Sequence, residues 1–184
     1  AAKRVAIVDH HRRAEDAIDN PVFSYIEPSA SSTCEVMIEV IKSVDTDVKI
    51  SEEIATYMLL GIYVDTNGFK GITSSTTFEA AVYLKELGAD NATVENYLKE
   101  QYEEYILKTK ILANMEIPFF GIVVAMAPED HIIDRTLLAK AGREAIDVKG
   151  IKAVFVIGYI APNIVGISAR SDGTFNVQVV MEKL

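Results

Sequence analysis

The pattern of apolar residues changes near the middle of this chain, and that change constrains the fold more than any other feature of the sequence. Before residue 108 the apolar residues recur mainly at helical spacing, whereas after residue 116 they fall into short runs separated by turns. A helix-rich part followed by a strand-rich part is typical of two domains. The sequence therefore predicts a join within residues 108–116, and its 184 residues are enough for two small domains.

The first part combines short strands with several helices. The run Val5–Val8 predicts a buried parallel strand that ends in polar residues. Ser32 with Glu35 fits a capping box, which predicts a helix start. A second strand is predicted over Val22–Ile26, and further helices begin at Ser51, after Thr73–Thr76 and at Thr93, the last running on to Leu112. Together these elements predict an α/β fold, a truncated parallel sheet flanked by helices.

The second part is rich in strands. One helix is predicted over Asp134–Ala145. The predicted strands are Pro118–Ala127, Ile151–Ile157, Ile164–Ala169 and Phe175–Met181. Short turns link the later strands, which favours antiparallel pairing. The second part is therefore predicted to be an α+β domain with a mostly antiparallel sheet.

Charge and cysteine content exclude some functions. The net charge of −9 argues against a surface for long nucleic acids, which needs a basic stripe. A small anionic substrate stays compatible, because a divalent metal can supply local positive charge. Cys34, the single cysteine, excludes an internal disulfide, favours a reducing compartment, and is interpreted as a small apolar filler. No apolar run approaches the roughly 20 residues of a membrane helix, and no signal peptide is visible.

The residues best suited to chemistry follow the first predicted strand. Asp9, His10 and His11 place a carboxylate and two imidazoles next to each other, a combination that suits Mn, Fe or Zn better than Ca or Mg. Asp65 lies at the end of a predicted helix, where the helix dipole disfavours an acid unless a cation is nearby. The alternatives are a surface turn with chance histidines, and a helix-stop aspartate in a turn with Gly68.

Two further groups could bind an anion. Ser31, Ser32 and Thr33 offer hydroxyls and backbone amides at a helix start, although simple capping is the favoured alternative. Arg170 ends a predicted strand and could form a forked contact with a phosphate, although a solvated surface arginine is the alternative. His131 follows two acids in a polar loop and is interpreted as an exposed side chain.

These motifs together resemble the DHH phosphoesterase superfamily. The similarity to its DHH domain rests on Val8–His11, Ala30–Thr33 and Tyr63–Thr66 with Phe69, and that to the DHH-associated domain on Gly166–Ser171 and Asn176–Val179. Within the superfamily, Asp9–Arg13 and Met181–Leu184 look most like the membrane-bound bacterial cyclic-di-AMP phosphodiesterases. The resemblance covers essentially the whole chain, and the order and spacing of the motifs are more specific than the tripeptide alone.

The resemblance implies a division into domains and a role for each matched residue. Residues 1–109 would be the C-terminal part of the DHH domain, and residues 110–184 an incomplete DHH-associated, substrate-binding domain. The cofactor would be Mn²⁺, two ions in the parent enzyme. The matched residues would be catalytic Asp9, His10, His11 and Asp65, of which His10, His11 and Asp65 bind metal, and substrate-binding Ser32, Thr33, Ser168, Arg170 and Asn176.

The resemblance also implies partners and a location. The expected substrate is a cyclic dinucleotide, cyclic-di-AMP cleaved to pApA, or a short oligonucleotide, with no long nucleic acid. The parent enzyme is expected to be anchored at the membrane through segments absent from this sequence, with this part in the cytoplasm, and a homodimer stays open. The alternatives are a nanoRNase or 3′-phosphoadenosine phosphatase, a single-strand exonuclease, and a regulatory module that binds nucleotide without cleaving it.

The sequence departs from the family pattern in three places. The family's first two metal-binding motifs would precede Asp9, where only eight residues stand, and its glycine-rich loop would follow Leu184. Thr76 occupies a position where relatives often carry an arginine. Because metal affinity falls steeply as ligands are lost, we expect this chain by itself to show no hydrolysis.

Overall fold

The computed structural model describes residues 4–12, 18, 20–44 and 48–183. Arg13 and Leu184, which belong to runs that carry the family resemblance, lie outside the described residues. The chain divides into two compact units, Ala1–Lys99 and Glu100–Leu184, each with a hydrophobic core of its own. The division lies one helix earlier than the predicted join, because the helix that carries Ile111 packs into the second core. The assignment of functions to residues 1–109 and 110–184 stays a prediction.

The first unit places a parallel pair of strands beside helices. Its described elements are β1 (Ala6–Asp9), β2 (Phe23–Ile26), α1 (Thr33–Ser43), α2 (Glu52–Asp65), α3 (Ser75–Glu86) and α4 (Asn91–Tyr97). β1 and β2 pair in parallel, with Asp9 opposite Ile26. Both strands therefore end at the same edge, where ligands bind in open α/β sheets. Ile38, Leu59 and Leu84 form part of the core that fixes the helices.

The second unit is built on a sheet whose described strands have the order β3-β4-β5-β6. Its elements are α5 (Tyr102–Ala113), β3 (Met115–Phe119), β4 (Ile122–Met126), α6 (Arg135–Ile146), β5 (Ala153–Ala161), β6 (Ile164–Ser171) and α7 (Val177–Met181). β4 and β5 are parallel and are connected through α6, while the pairs β3–β4 and β5–β6 are antiparallel. The predicted fold class, α/β followed by a mostly antiparallel α+β part, is confirmed.

Two local predictions were wrong, and in each a capping side chain sets a helix start that the apolar pattern did not predict. The helix predicted from Thr93 to Leu112 is two helices, and the first begins after Asp90, whose carboxylate accepts the backbone N–H of Ala92 and Thr93. The strand predicted over Phe175–Met181 is instead the short helix α7, capped by the Asn176 side chain. A third prediction, one strand over residues 118–127, was also wrong. Strands β3 and β4 form a hairpin there, and the chain turns at Gly121, whose φ is 79°.

Long apolar helices are missing from the described part of the chain. None of its helices combines the length and the apolar composition needed to cross a membrane.

Candidate functional site

The ends of β1 and α2 bring together the residues on which the metal prediction rests. β1 ends at Asp9, so His10 and His11 leave the sheet edge directly after it. α2 begins at the N-cap Ser51, as predicted, and Asp65 is its last residue. The distance between Nε2 of His10 and Oδ2 of Asp65 is 3.6 Å. An imidazole and a carboxylate that are 55 positions apart therefore face each other within the first unit.

His10 presents a nitrogen that has no hydrogen-bond partner. Its Nδ1 lies 3.3 Å from the carbonyl oxygen of Ala30, and a carbonyl can only accept, so the proton belongs on Nδ1. That tautomer leaves Nε2 with a free lone pair. Among the described residues, Nε2 of His10 is the buried side-chain N or O atom that lacks a partner. Such an atom costs about 1–3 kcal/mol, so its retention suggests a ligand.

Asp9 organises the turn that holds both histidines. Its Oδ1 accepts the backbone N–H of His10 at 2.8 Å, that of His11 at 3.2 Å, and the ring Nδ1–H of His11 at 2.8 Å. The hydroxyl of Thr33 donates to the same oxygen at 3.3 Å. The hydrogen bond from the His11 ring is the main cause that lowers the pKa of Asp9 to about 2, against the opposing effect of burial. Asp9 is therefore ionised and orients His11, whose Nε2 stays free.

This donor set fits a divalent transition-metal ion. One ligand atom from each of Asp9, His10 and His11 lies within 4.8 Å of the other two. The 3.6 Å separation between His10 and Asp65 is less than twice a metal–ligand distance of about 2.1 Å, so one ion can contact both atoms. Imidazole and carboxylate ligands together suit Mn, Fe or Zn.

The backbone after Asp65 is held in an uncommon conformation. Asn67, Gly68 and Phe69 follow each other with φ values of 51°, 67° and 63°, all in the left-handed region. Phe69 is held there by its neighbours, since its ring lies 5.0 Å from that of Tyr63 and 5.3 Å from that of Phe78. The buried Thr66 hydroxyl accepts the Phe69 N–H at 3.0 Å. The turn therefore fixes the end of α2 and with it Asp65.

The hydroxyls near the start of α1 are engaged by a buried acid. Glu35 is 2% exposed, and its carboxylate accepts the Ser31 hydroxyl at 2.5 Å and N–H at 3.1 Å. From the start of α3 it accepts the hydroxyls of Thr76 at 2.6 Å and Thr77 at 2.9 Å. Burial raises the pKa of Glu35, but these hydrogen bonds outweigh it and hold the pKa below its ordinary value.

Sequence reasoning missed this role of Glu35. It assigned Glu35 to a capping box, and Ser32 does accept the Glu35 N–H as the N-cap of α1. The Glu35 carboxylate, however, turns to Ser31, one residue before the cap. The signal available in the sequence was two pairs of hydroxyl-bearing residues, 31 and 32 just before Glu35 and 76 and 77 at a later helix start. Ser32 is fully buried as a cap, and its contact with substrate stays a prediction.

Known proteins resemble this chain in sequence. Residues 1–62 match the model described as DHH family, N-terminal domain. Cyclic-di-AMP phosphodiesterase GdpP of Geobacillus thermodenitrificans is 40% identical over 183 residues, which are 100% of this chain and 28% of that protein. Cyclic-di-AMP phosphodiesterase PdeA of Listeria monocytogenes is 40% identical over 184 residues, with the same two coverages. The predicted resemblance to the DHH superfamily is confirmed.

The DHH relatives are much longer than this chain, which spans 28% of the length of both phosphodiesterases. A solved structure also resembles this chain, an exopolyphosphatase-related protein from Bacteroides fragilis. It is 18% identical, with a TM-score of 0.81 over 98% of this chain and 54% of that one. At that identity the likeness supports the fold alone.

Cys34 lies near the candidate site without being one of its proposed ligands. Burial is the main cause that raises the pKa of its thiol, and the negative charge of Asp65 adds to it. The thiol therefore stays protonated and packs against α2, where its Sγ lies over Gly61. This is the filler role that the sequence predicted, on a helix that leads to the site.

The second unit carries the other predicted substrate contacts. Ser168 and Arg170 lie on β6, two residues apart and thus on one face, above Gly142 of α6. The exposed Arg170 packs its stem near Gly142, where a Cβ would lie 3.4 Å from the arginine Cγ. The Asn176 side-chain oxygen accepts from Gln178 and Val179 as the cap of α7. Substrate binding by these three residues stays a prediction.

Proposed function

We propose that this chain is part of a DHH phosphodiesterase that hydrolyses a cyclic dinucleotide, cleaving cyclic-di-AMP to pApA. The observation that carries the proposal is the buried, unpartnered Nε2 of His10 facing the Asp65 carboxylate at 3.6 Å. The names of the two phosphodiesterase relatives support the choice of substrate. The activity belongs to the whole protein, of which this chain supplies metal ligands and substrate contacts.

His10, His11 and Asp65 would hold Mn²⁺, two ions in the whole enzyme. When bound, the metal supplies Lewis-acid chemistry, which neutralises phosphate charge and makes water more acidic. The chain contributes by preorganising the ligands. The Ala30 carbonyl keeps the proton on Nδ1 of His10, so that Nε2 is ready to coordinate, and Asp9 does the same for His11. Thr33 is proposed to contact the substrate beside Asp9, to which its hydroxyl donates.

A comparison of histidine variants in the whole protein tests this proposal. His10→Ala removes a proposed ligand and should lower kcat/KM for cyclic-di-AMP with Mn²⁺ by more than the roughly 10–100-fold that loss of an outer partner costs. Asp65→Ala should lower kcat/KM to a similar extent. His131→Ala is the matched control, because His131 also bonds an aspartate, Asp130 at 2.7 Å, but lies in the second unit. Equal activity of the His10 and His131 variants would refute the proposed site.

The substrate is tested by competition within the same assay. Cyclic-di-AMP should be cleaved faster than short oligoribonucleotides, 3′-phosphoadenosine phosphates or single-stranded DNA. Preference for one of these would assign the corresponding superfamily activity instead. Tight binding of cyclic dinucleotide without cleavage, with Mn²⁺ supplied, would identify a regulatory module.

The proposal extends to the second unit and to the location of the whole protein. Ser168 and Arg170 share a face of β6, where a guanidinium can form a forked contact with a phosphate, and Asn176 is the third proposed contact. Arg170→Ala should raise KM for the dinucleotide more than it lowers kcat. We also propose that segments outside this chain hold the protein at the membrane with this part in the cytosol, which fractionation and protease protection of cells would test.

A further inference from the structure

We infer that Glu35 is a positioning residue for the metal ligands, acting through the segment 30–33 that contacts both Asp9 and His10. The inference rests on the metal site of the proposed function. Glu35 is not one of the proposed ligands, and its buried carboxylate is occupied by four hydrogen bonds. A buried charge is costly to assemble, and a buried polar network whose hydrogen bonds are satisfied makes its surroundings more rigid.

The segment 30–33 contacts the site at both of its ends. The Ala30 carbonyl accepts from Nδ1 of His10 at 3.3 Å, and the Thr33 hydroxyl donates to Asp9 at 3.3 Å. The first contact sets the tautomer of His10, and the second helps to orient the carboxylate that holds His11. A displacement of this segment would therefore disturb both imidazoles together.

Glu35 holds this segment in place through hydrogen bonds to Ser31 and to the start of α3. Its Oε2 binds both the hydroxyl and the N–H of Ser31, the residue that directly follows the Ala30 carbonyl. Its two oxygens also bind Thr76 and Thr77 in the first turn of α3, which belongs to the core of the first unit. Glu35 thus ties Ser31 to a second helix, and the Ala30 carbonyl cannot move away from His10 without breaking these bonds.

Mn²⁺ titration of the whole protein by electron paramagnetic resonance, without substrate, tests the inference. Glu35→Ala should weaken Mn²⁺ binding about 10-fold, the lower end of the effect of outer partners. Glu35→Gln should retain affinity within about 3-fold, because the amide oxygen can accept from Ser31 and the amide can donate to Thr76. Excess Mn²⁺ should restore activity to Glu35→Ala.

The matched control is Asp90→Ala. Asp90 is also an acid at a helix start that accepts backbone N–H groups and a threonine hydroxyl, and it lies in the same unit, where it caps α4. It should lower the thermal midpoint and leave Mn²⁺ affinity unchanged. If Glu35→Ala unfolds the protein, Ser31→Ala serves instead and should weaken Mn²⁺ binding several-fold. Unchanged affinity in a folded Glu35→Ala or Ser31→Ala variant would overturn the inference, whereas a wild-type protein that binds no Mn²⁺ would overturn the proposed metal site itself.

Discussion

At the scale of single residues, the first unit gives three of its acids two different roles. Asp9 uses one carboxylate oxygen to arrange the turn with both histidines, and Glu35 uses both of its oxygens to join two helix starts. Asp65, by contrast, faces a bare imidazole nitrogen across 3.6 Å. The acids with satisfied hydrogen bonds therefore support the site, and the acid that faces an unpartnered nitrogen marks where a cation would bind.

Glu35 should make the stability of the first unit depend on acidity. Its pKa is lower in the folded protein than the ordinary value of 4.5, so its carboxylate contributes stability above about pH 4.5, and this contribution is lost as the pH falls through the folded pKa. Glu35→Gln should therefore be less stable than the wild type near neutral pH and should lose less stability on acidification. The measurement is the urea concentration at the midpoint of unfolding, taken from pH 6 to pH 3 in steps of about half a pH unit. Glu79→Gln, at an exposed position on α3, is the control, and equal pH dependence of both variants would contradict the role of Glu35.

At the scale of elements, the sequence predicted what short-range chemistry determines. Apolar spacing located β1, α2 and α6, and capping residues located the starts of α1 and α2, because both signals lie within a few residues of the element. It failed where a local cap competes with a strand-like run, as at Asn176, and where helical spacing continues across a break between two helices, as between α4 and α5.

The candidate site was predictable to a similar extent. The polar residues after the first strand indicated Asp9, His10 and His11, and the helix end indicated Asp65, whereas the resemblance to the DHH superfamily supplied the pairing of His10 with Asp65. Burial of Glu35 and the contact of the Ala30 carbonyl depend on residues about 20 to 40 positions away. No periodicity or motif records such contacts, so they require the folded structure.

The packing of α1 on α2 should be sensitive to one methyl group. A Cβ at Gly61 would lie 2.5 Å from Sγ of Cys34, closer than side chains tolerate. Gly61→Ala should therefore destabilise the protein by about 1–3 kcal/mol, although alanine is otherwise the better helix former. The measurement is the free energy of unfolding from denaturant titration.

Removal of the cysteine sulfur provides the matched test. Adding Cys34→Ala to Gly61→Ala opens the space that the new methyl group needs, so the double variant should be at least as stable as Cys34→Ala alone. Additive losses in this double-mutant cycle would show that the two helices do not meet at these residues.

At the scale of the whole molecule, the residues of the proposed metal site lie in one of two units with separate cores. The core of the first unit is formed by helices α1 to α4, and that of the second by the sheet with α5 and α6. The net charge of −9 also favours cations near the surface. A ligand that binds the first unit should stabilise that unit directly.

Mn²⁺ should therefore raise the thermal stability of the first unit. At a free concentration 100 times its Kd, an ion that binds the folded state alone adds about 2.7 kcal/mol. Differential scanning calorimetry should show an upward shift that disappears in Asp65→Ala and is smaller with Mg²⁺, which imidazole ligands suit less well. A shift of equal size in the Asp65 variant would place the ion elsewhere.

The left-handed turn after Asp65 has a consequence for which ions the site accepts. Three successive residues with positive φ, anchored by stacked aromatic rings, make that wall of the site stiff. The opposite wall follows a strand of four residues paired with one neighbour among the described strands, an arrangement with little rigidity of its own. Ions of different radius should thus be accommodated on the side of the imidazoles, within the limits set by their hydrogen bonds to Ala30 and Asp9, while the carboxylate keeps its position and serves as the reference point for coordination.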